Sequence, residues 1–251
     1  MPSITFATNC WEKDWNILLK TNFLENKILR NEVEFTKKTL IINNVKNREK
    51  VEANAKKVVD KGVITNYFFV EDYIDEALKR FQLTNETLDK GYYYSNHELV
   101  GVYLCETDYL LYFTGDTWLD RKVGWVEPAI VEMEKNEKYK VANPVWNRKY
   151  DEAKKESTSE IEDFYVGFGF SDQCFLVKTR DFKAPIYNES NPLSERYPKY
   201  GGETFEKRVD SWMRNHNYLR LTFKHGYYLH EDFPSNDFQR KIEILKGTYD
   251  R

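Results

Sequence analysis

The run Tyr109-Leu110-Leu111-Tyr112-Phe113, broken at once by Thr114-Gly115-Asp116, constrains this chain more than any other stretch. An apolar run without polar alternation reads as a strand buried on both faces, of the kind found in the middle of a parallel sheet. The Thr-Gly-Asp break predicts that the strand stops there. It leaves the Asp116 carboxylate just beyond the strand's carboxyl end. In open α/β sheets ligands bind at that edge.

The rest of the chain supplies neighbours for such a strand. Apolar runs predict strands over 4–7, 38–42 and 64–70, and helical spacing predicts helices over 15–24, 48–60, 73–81 and 98–105. That alternation implies a parallel sheet with helical crossovers. A helix over 126–136 follows, with Pro128 in its first turn, then a strand over 141–147 that stops at Pro144. Residues 148–163 are highly charged and read as a mobile loop or solvated helix, with a lid over the site as the alternative. Strands or extended segments are expected over 164–170, 173–178 and 219–229, a polar loop over 188–200 and a helix over 203–215. The tail after 232 is too polar to assign.

Composition narrows the function classes. The 251 residues suit one large α/β domain or a domain with an appendage, and a formal net charge of −3 without a basic block argues against nucleic-acid binding. Cys10, Cys105 and Cys174 are scattered and odd in number, which disfavours a disulfide framework or a zinc site and suits a reducing compartment. No stretch approaches the roughly 20 apolar residues of a membrane helix, and the amino terminus does not read as a signal peptide. A cytoplasmic location is expected, with peripheral membrane association left open. The 18 tyrosines either stack on sugars or bases or form partly exposed core.

Polar clusters mark several strand ends: Thr8-Asn9, Asn43-Asn44, Thr114-Gly115-Asp116 and Asn143-Pro144. Asn is an ordinary turn residue, but its amide also gives a paired donor and acceptor to a base or ribose. Several such ends on one sheet edge suit a nucleotide, and Thr8, Asn9, Asn43, Asn44, Asn96 and Asp116 are the candidates for it.

Together these residues resemble a GT-A fold glycosyltransferase, most closely the inverting family 2 type that uses nucleotide-activated sugars. The resemblance spans about residues 4 to 232. It implies an α/β fold with a mainly parallel, Rossmann-like sheet and a smaller acceptor-side region. It divides the chain into a nucleotide-sugar half (1–147), an acceptor half of the same domain (148–232) and a tail (233–251). It implies a divalent cation, Mn or Mg, held by an acidic pair at the end of the central strand. Here Thr114 stands at the first position of that pair and Asp116 at the second, which puts metal dependence in question. A carboxyl-terminal His often joins such a site; His225 and His230 are candidates, with His230 preferred because Glu231-Asp232 follows it.

The motif Tyr200-Gly201-Gly202-Glu203-Thr204 resembles the family's acceptor-side motif, where a carboxylate removes the acceptor proton. The usual base position is Thr204 here, so Glu203 is the leading candidate, with Asp172 and Glu206 behind it. The expected reaction is sugar transfer from a nucleotide-diphosphate donor to a glycan or other hydroxyl acceptor, in surface polysaccharide or glycan synthesis. Two alternatives stand beside it. A sugar-phosphate nucleotidyltransferase would need a glycine-rich loop after the first strand, and residues 8–13 contain no glycine. A non-catalytic nucleotide- or sugar-binding module would suit the replaced acidic residues.

Overall fold

A computed structural model describes residues 2–197, 201–234 and 236–249. Its frame is one mixed sheet of β1 (Ile4–Cys10), β2 (Lys37–Ile42), β3 (Asn66–Phe69), β4 (Tyr109–Phe113), β5 (Thr117–Leu119), β6 (Tyr139–Trp146), β7 (Ser157–Ile161), β8 (Phe164–Gly167), β9 (Cys174–Lys178) and β10 (Leu219–His230). The strand order is β3-β2-β1-β4-β9-β6-β10-β8-β7, with β5 pairing the end of β10.

The pairs β3–β2, β2–β1 and β1–β4 are parallel, so those strands all end on one edge. β9 is antiparallel to β4 and to β6 and therefore starts on that same edge. β6 and β10 run parallel to each other and end there too.

β4 is the centre the sequence predicts. All five of its residues are buried. Tyr109, Leu111 and Phe113 pack into one hydrophobic cluster, Leu110 and Tyr112 into the other, as the two-residue strand period requires. The first cluster is covered by the helices Trp15–Lys20, Phe23–Leu29, Arg48–Asp60 and Val126–Lys135. The second is covered by Ile74–Phe81, Tyr92–Leu104 and Phe205–Asn215.

Several expectations need correction. The helix expected over 15–24 is two, because the chain breaks at Thr21-Asn22, where the Thr21 hydroxyl bonds the Ile17 carbonyl. β1 continues through Thr8 and Asn9, which are buried strand residues. The Tyr-rich segment before residue 98 is already helix, so its tyrosines form a first turn.

β6 runs through Pro144. Its pairing with β9 covers only Val141 and Ala142, and the β10 ladder shifts register just after Pro144, so the missing N–H leaves little unmet. Asn143 is thus mid-strand and fully buried, its amide bonded to the Pro144 carbonyl. The charged segment 148–163 forms the helix Tyr150–Glu156 and the edge strand β7, whose exposed polar residues suit a sheet edge.

The tail also folds. The helix Asp237–Lys246 ends at Gly247, and Tyr249 returns to the core against Phe23 and Phe233, with ring centroids 5.5 Å apart in both contacts. Phe233→Ala should therefore cost about 3 kcal/mol, as expected for emptying a buried aromatic site. Urea unfolding would measure it, and a change below about 0.5 kcal/mol would show that the tail adds nothing to the core.

Candidate active site

The carboxyl edge of β1, β2 and β4 opens into a cavity of about 410 Å³. A larger cleft of about 550 Å³ lies at the opposite end of β4. Its charged groups are largely engaged with their neighbours: Asp108 accepts from Ser3, while Lys178 and Arg180 both reach Glu137. The carboxyl-edge cavity is the one whose lining carboxyls are shifted upward by burial.

Its floor is the turn after β4. The Thr117 N–H bonds the Thr114 carbonyl, and the Gly115 N–H donates to Asn9 Oδ1 at 2.8 Å. A Cβ on Gly115 would stand 2.7 Å from the Asn9 carbonyl oxygen, so only glycine lets β1 and the turn approach this closely. Beneath the turn lies Lys27, 1% exposed. Its ammonium donates to Thr8 Oγ1 at 2.8 Å, to the Thr114 carbonyl at 2.5 Å and to the Gly115 carbonyl at 3.1 Å. Burial lowers its pKa to about 7, against the opposing pull of Asp116 and Asp14.

The turn presents Asp116 to the cavity. β5 then pairs antiparallel with the end of β10, setting His230 opposite Thr117. His230 Nε2 comes to 3.4 Å from Asp116 Oδ2. Burial pushes the Asp116 pKa up, but His230 and Lys27 outweigh it, and the net shift is downward. His230 is raised in turn, chiefly by its hydrogen bond to Asp116.

A second wall brings Asp172 and Glu206 together. Asp172 sits just before β9, and Glu206 lies in the first turn of the helix Phe205–Asn215, capped by Thr204. Both side chains line the same cavity, and the Asp172 charge acts on Glu206. Burial lifts Asp172 to about 6, with His230 pulling the other way. Burial and then the Asp172 charge push Glu206 well above the usual carboxylate range. Two acids facing one cavity oppose each other's ionisation, so the Asp172 charge favours the protonated form of Glu206.

The sequence candidates distribute unevenly. Asn9, Asn43, Asn44, Asp116, Asp172 and His230 line the cavity. Asn44 does so with a left-handed backbone (φ 49°) that suits Asn, its N–H bonded to Glu71. Thr8 is fully buried and serves Lys27. Asn96 is half-buried on the helix Tyr92–Leu104 and is not in the lining. Glu203 is turned to Lys207 at 2.7 Å and Arg208 at 3.2 Å, away from the lining. His225 is exposed and paired with Asp163 at 3.0 Å. Tyr200 lies outside the described residues.

Asp14, His97 and Glu98 also line the cavity without having been singled out from the sequence. His97 bonds the Tyr112 hydroxyl at 2.8 Å and is held neutral, its pKa pushed by burial to about 3. Glu98 is raised by burial and then by Asp172. The available signal was the polar run Ser95-Asn96-His97-Glu98 leading into the apolar half of the helix. Lys27 had a similar one, at helical spacing with Phe23, Leu24 and Ile28.

This architecture is the GT-A fold. Two solved structures share it. GalNAc-T7 with UDP, GalNAc and Mn2+ superposes with a TM-score of 0.57 at 11% identity, covering 98% of this chain and 48% of that one. A mycobacterial protein superposes with a TM-score of 0.51 at 9% identity, covering 97% of this chain and 70% of that one. The chain thus spans about half the length of the GalNAc-T7 chain it matches. No protein-family model and no curated protein sequence matches it.

Asp14 gives the site a measurable signature. Burial, then the Asp116 charge, raises it to about 7. Because the unfolded-state value is about 3.9, the folded state holds the extra proton and loses stability as pH rises from about 4 to about 7. Asp14→Asn removes that loss. Relative to wild type it should gain on the order of 2 to 4 kcal/mol at pH 8 compared with pH 4. Urea unfolding in EDTA at both pH values checks this, and a pH-independent difference would show that Asp14 is not held protonated.

Proposed function

We propose that the protein is a glycosyltransferase that moves a sugar from a nucleoside-diphosphate donor to an acceptor hydroxyl with inversion. One observation carries the reading. On a GT-A fold, a single cavity at the carboxyl edge joins the Asp116–His230 pair to the Asp172–Glu206 pair.

On the donor side, Asn9, Asn43 and Asn44 stand at the ends of β1 and β2, where a nucleoside would lie. Asp116 and His230 fit a divalent cation as a hard carboxylate oxygen and an imidazole nitrogen. Among the described residues no group of three or more His, Cys, Asp or Glu side chains is gathered for a metal. The other positions therefore fall to diphosphate oxygens and water, which is how Mg²⁺-type sites at phosphates are commonly completed. When bound, such an ion supplies positive charge against the departing diphosphate. Thr114, at the place of the usual first acid, bonds its hydroxyl to Thr117 at 2.7 Å and shapes the turn.

On the acceptor side, Asp172 is the base. Its pKa of about 6 leaves it ionised at neutral pH yet more basic than a free carboxylate. Glu206 keeps its proton and orients the acceptor oxygen by donating to it. As that oxygen attacks in line on the anomeric carbon, its proton passes to Asp172 and the bond to the diphosphate breaks.

A thermal-shift panel of nucleoside diphosphates with manganese, followed by turnover of the matching donor sugars, tests the reading. Stabilisation with no turnover of any donor would favour a binding module instead. With an active donor, Asp172→Asn should lower kcat about 10²- to 10⁴-fold, the usual range for a general base. Glu203→Gln should stay within about threefold. The wild-type kcat/KM should rise with pH through about 6 as Asp172 gives up its proton, and Asp172→Asn should lack that limb. Near-normal turnover by Asp172→Asn would remove it as the base.

A further inference from the structure

The helix Tyr92–Leu104 begins with three tyrosines that are not core. Tyr93 and Tyr94 are 43% and 52% exposed, and both line the cavity. Their rings meet edge-to-face, centroids 5.4 Å apart at 83°, so the pair presents a ring face and a ring edge together. Aromatic surface left open at the mouth of a polar cavity is what a ligand with one apolar face would cover.

Their place in the fold identifies which ligand. The amino end of this helix is joined to the wall that carries Glu206. A Cβ on Gly91 would stand 2.5 Å from the Glu203 backbone, and the Phe205 N–H donates to Ser95 Oγ at 2.7 Å. The tyrosines therefore belong to the Asp172–Glu206 side of the cavity.

The charge of the lining narrows the ligand further. Five carboxyl side chains, Asp14, Glu98, Asp116, Asp172 and Glu206, face the cavity, and among the described residues no Lys or Arg side chain lines it. The buried cation Lys27 is spent on the turn beneath, and Arg196, whose charge reaches Glu206, is paired with Glu156 at 3.3 Å. On the Asp172–Glu206 side, away from the Asp116–His230 pair where a cation would offset a diphosphate, a carboxylate-, sulfate- or phosphate-bearing acceptor would bring like charge, whereas a neutral sugar ring brings hydroxyls for the carboxyl oxygens and a C–H face for the rings.

We infer that the acceptor is an uncharged saccharide, whose ring packs on Tyr93 and Tyr94 while its hydroxyl reaches Asp172 and Glu206. This rests on the transferase reading above for the word acceptor, but the saccharide site itself can be tested without turnover.

Binding of the full chain to an array of neutral, uronate-containing, sialylated and phosphorylated glycans would test it, with UDP stabilisation followed separately by thermal shift. Neutral glycans should bind and anionic ones should bind at least tenfold more weakly. Tyr93→Ala and Tyr94→Ala should each weaken neutral-glycan binding about tenfold. Tyr93→Phe and Tyr94→Phe, which keep the rings, should restore it, and UDP stabilisation should not change in any of the four. Equal or tighter binding of anionic glycans, no glycan binding at all, or alanine variants that bind like wild type would each overturn the inference. Loss of UDP stabilisation with glycan binding intact would overturn it too, by assigning the rings to the nucleobase. Glycan binding as expected without any nucleotide response would leave the saccharide site standing and remove the transferase reading.

Discussion

Much of the site depends on one buried ammonium. Lys27 holds two carbonyls of the Thr114–Gly115 turn and the Thr8 hydroxyl, and so ties the Phe23–Leu29 helix to the ends of β1 and β4. Burying a lysine is costly, and its pKa of about 7 records that cost. Its three oxygen partners satisfy the donors, and the nearby Asp116 and Asp14 carboxyls offset the charge. The turn that presents Asp116 is therefore fixed from below by hydrogen bonds from Lys27, from the side by Asn9 and from within by the Thr114–Thr117 hydroxyl pair.

From that turn the remaining geometry follows by topology. The antiparallel entry of β9 puts Asp172 on the edge where the parallel strands end. The short β5, paired with the last residues of β10, carries the chain's far end back to Asp116 and sets His230 there. Side chains separated by more than a hundred positions meet because β4 lies between parallel β1 and antiparallel β9.

Local sequence revealed what local physics controls. The β4 run, its Thr-Gly-Asp break and the helix over 48–60 were legible because periodicity acts within a few positions; the structure adds that Asn47 caps that helix, accepting from the Lys50 N–H. Non-local pairing was not legible. Pro144 marks a strand end by its own chemistry, yet the shifted β10 register lets β6 pass through it. Glu203 and Glu206 both stand near the start of one helix, and sequence favours the glycine-flanked one. Only packing shows that Glu203 is taken up by Lys207 and Arg208 while Glu206 faces Asp172.

The acid-rich lining has a consequence for how donor and cation bind in the proposed reaction. Asp14, Glu98, Asp172 and Glu206 all have raised pKa values, so the cavity at neutral pH carries fewer than its five possible charges. A diphosphate entering alone would draw further protons onto these acids, because each like charge nearby favours the neutral form. A divalent cation held by Asp116 and His230 would act in the opposite sense and favour ionisation. The two ligands therefore oppose each other's effect on the same protons, and each lowers the electrostatic cost of the other. By linkage, the factor by which cation tightens nucleotide equals the factor by which nucleotide tightens cation. Asp172 lies within reach of this coupling through its interactions with His230 and Asp116. In the proposed reaction, a diphosphate alone would favour keeping the proton on Asp172, and a matching cation would offset that effect.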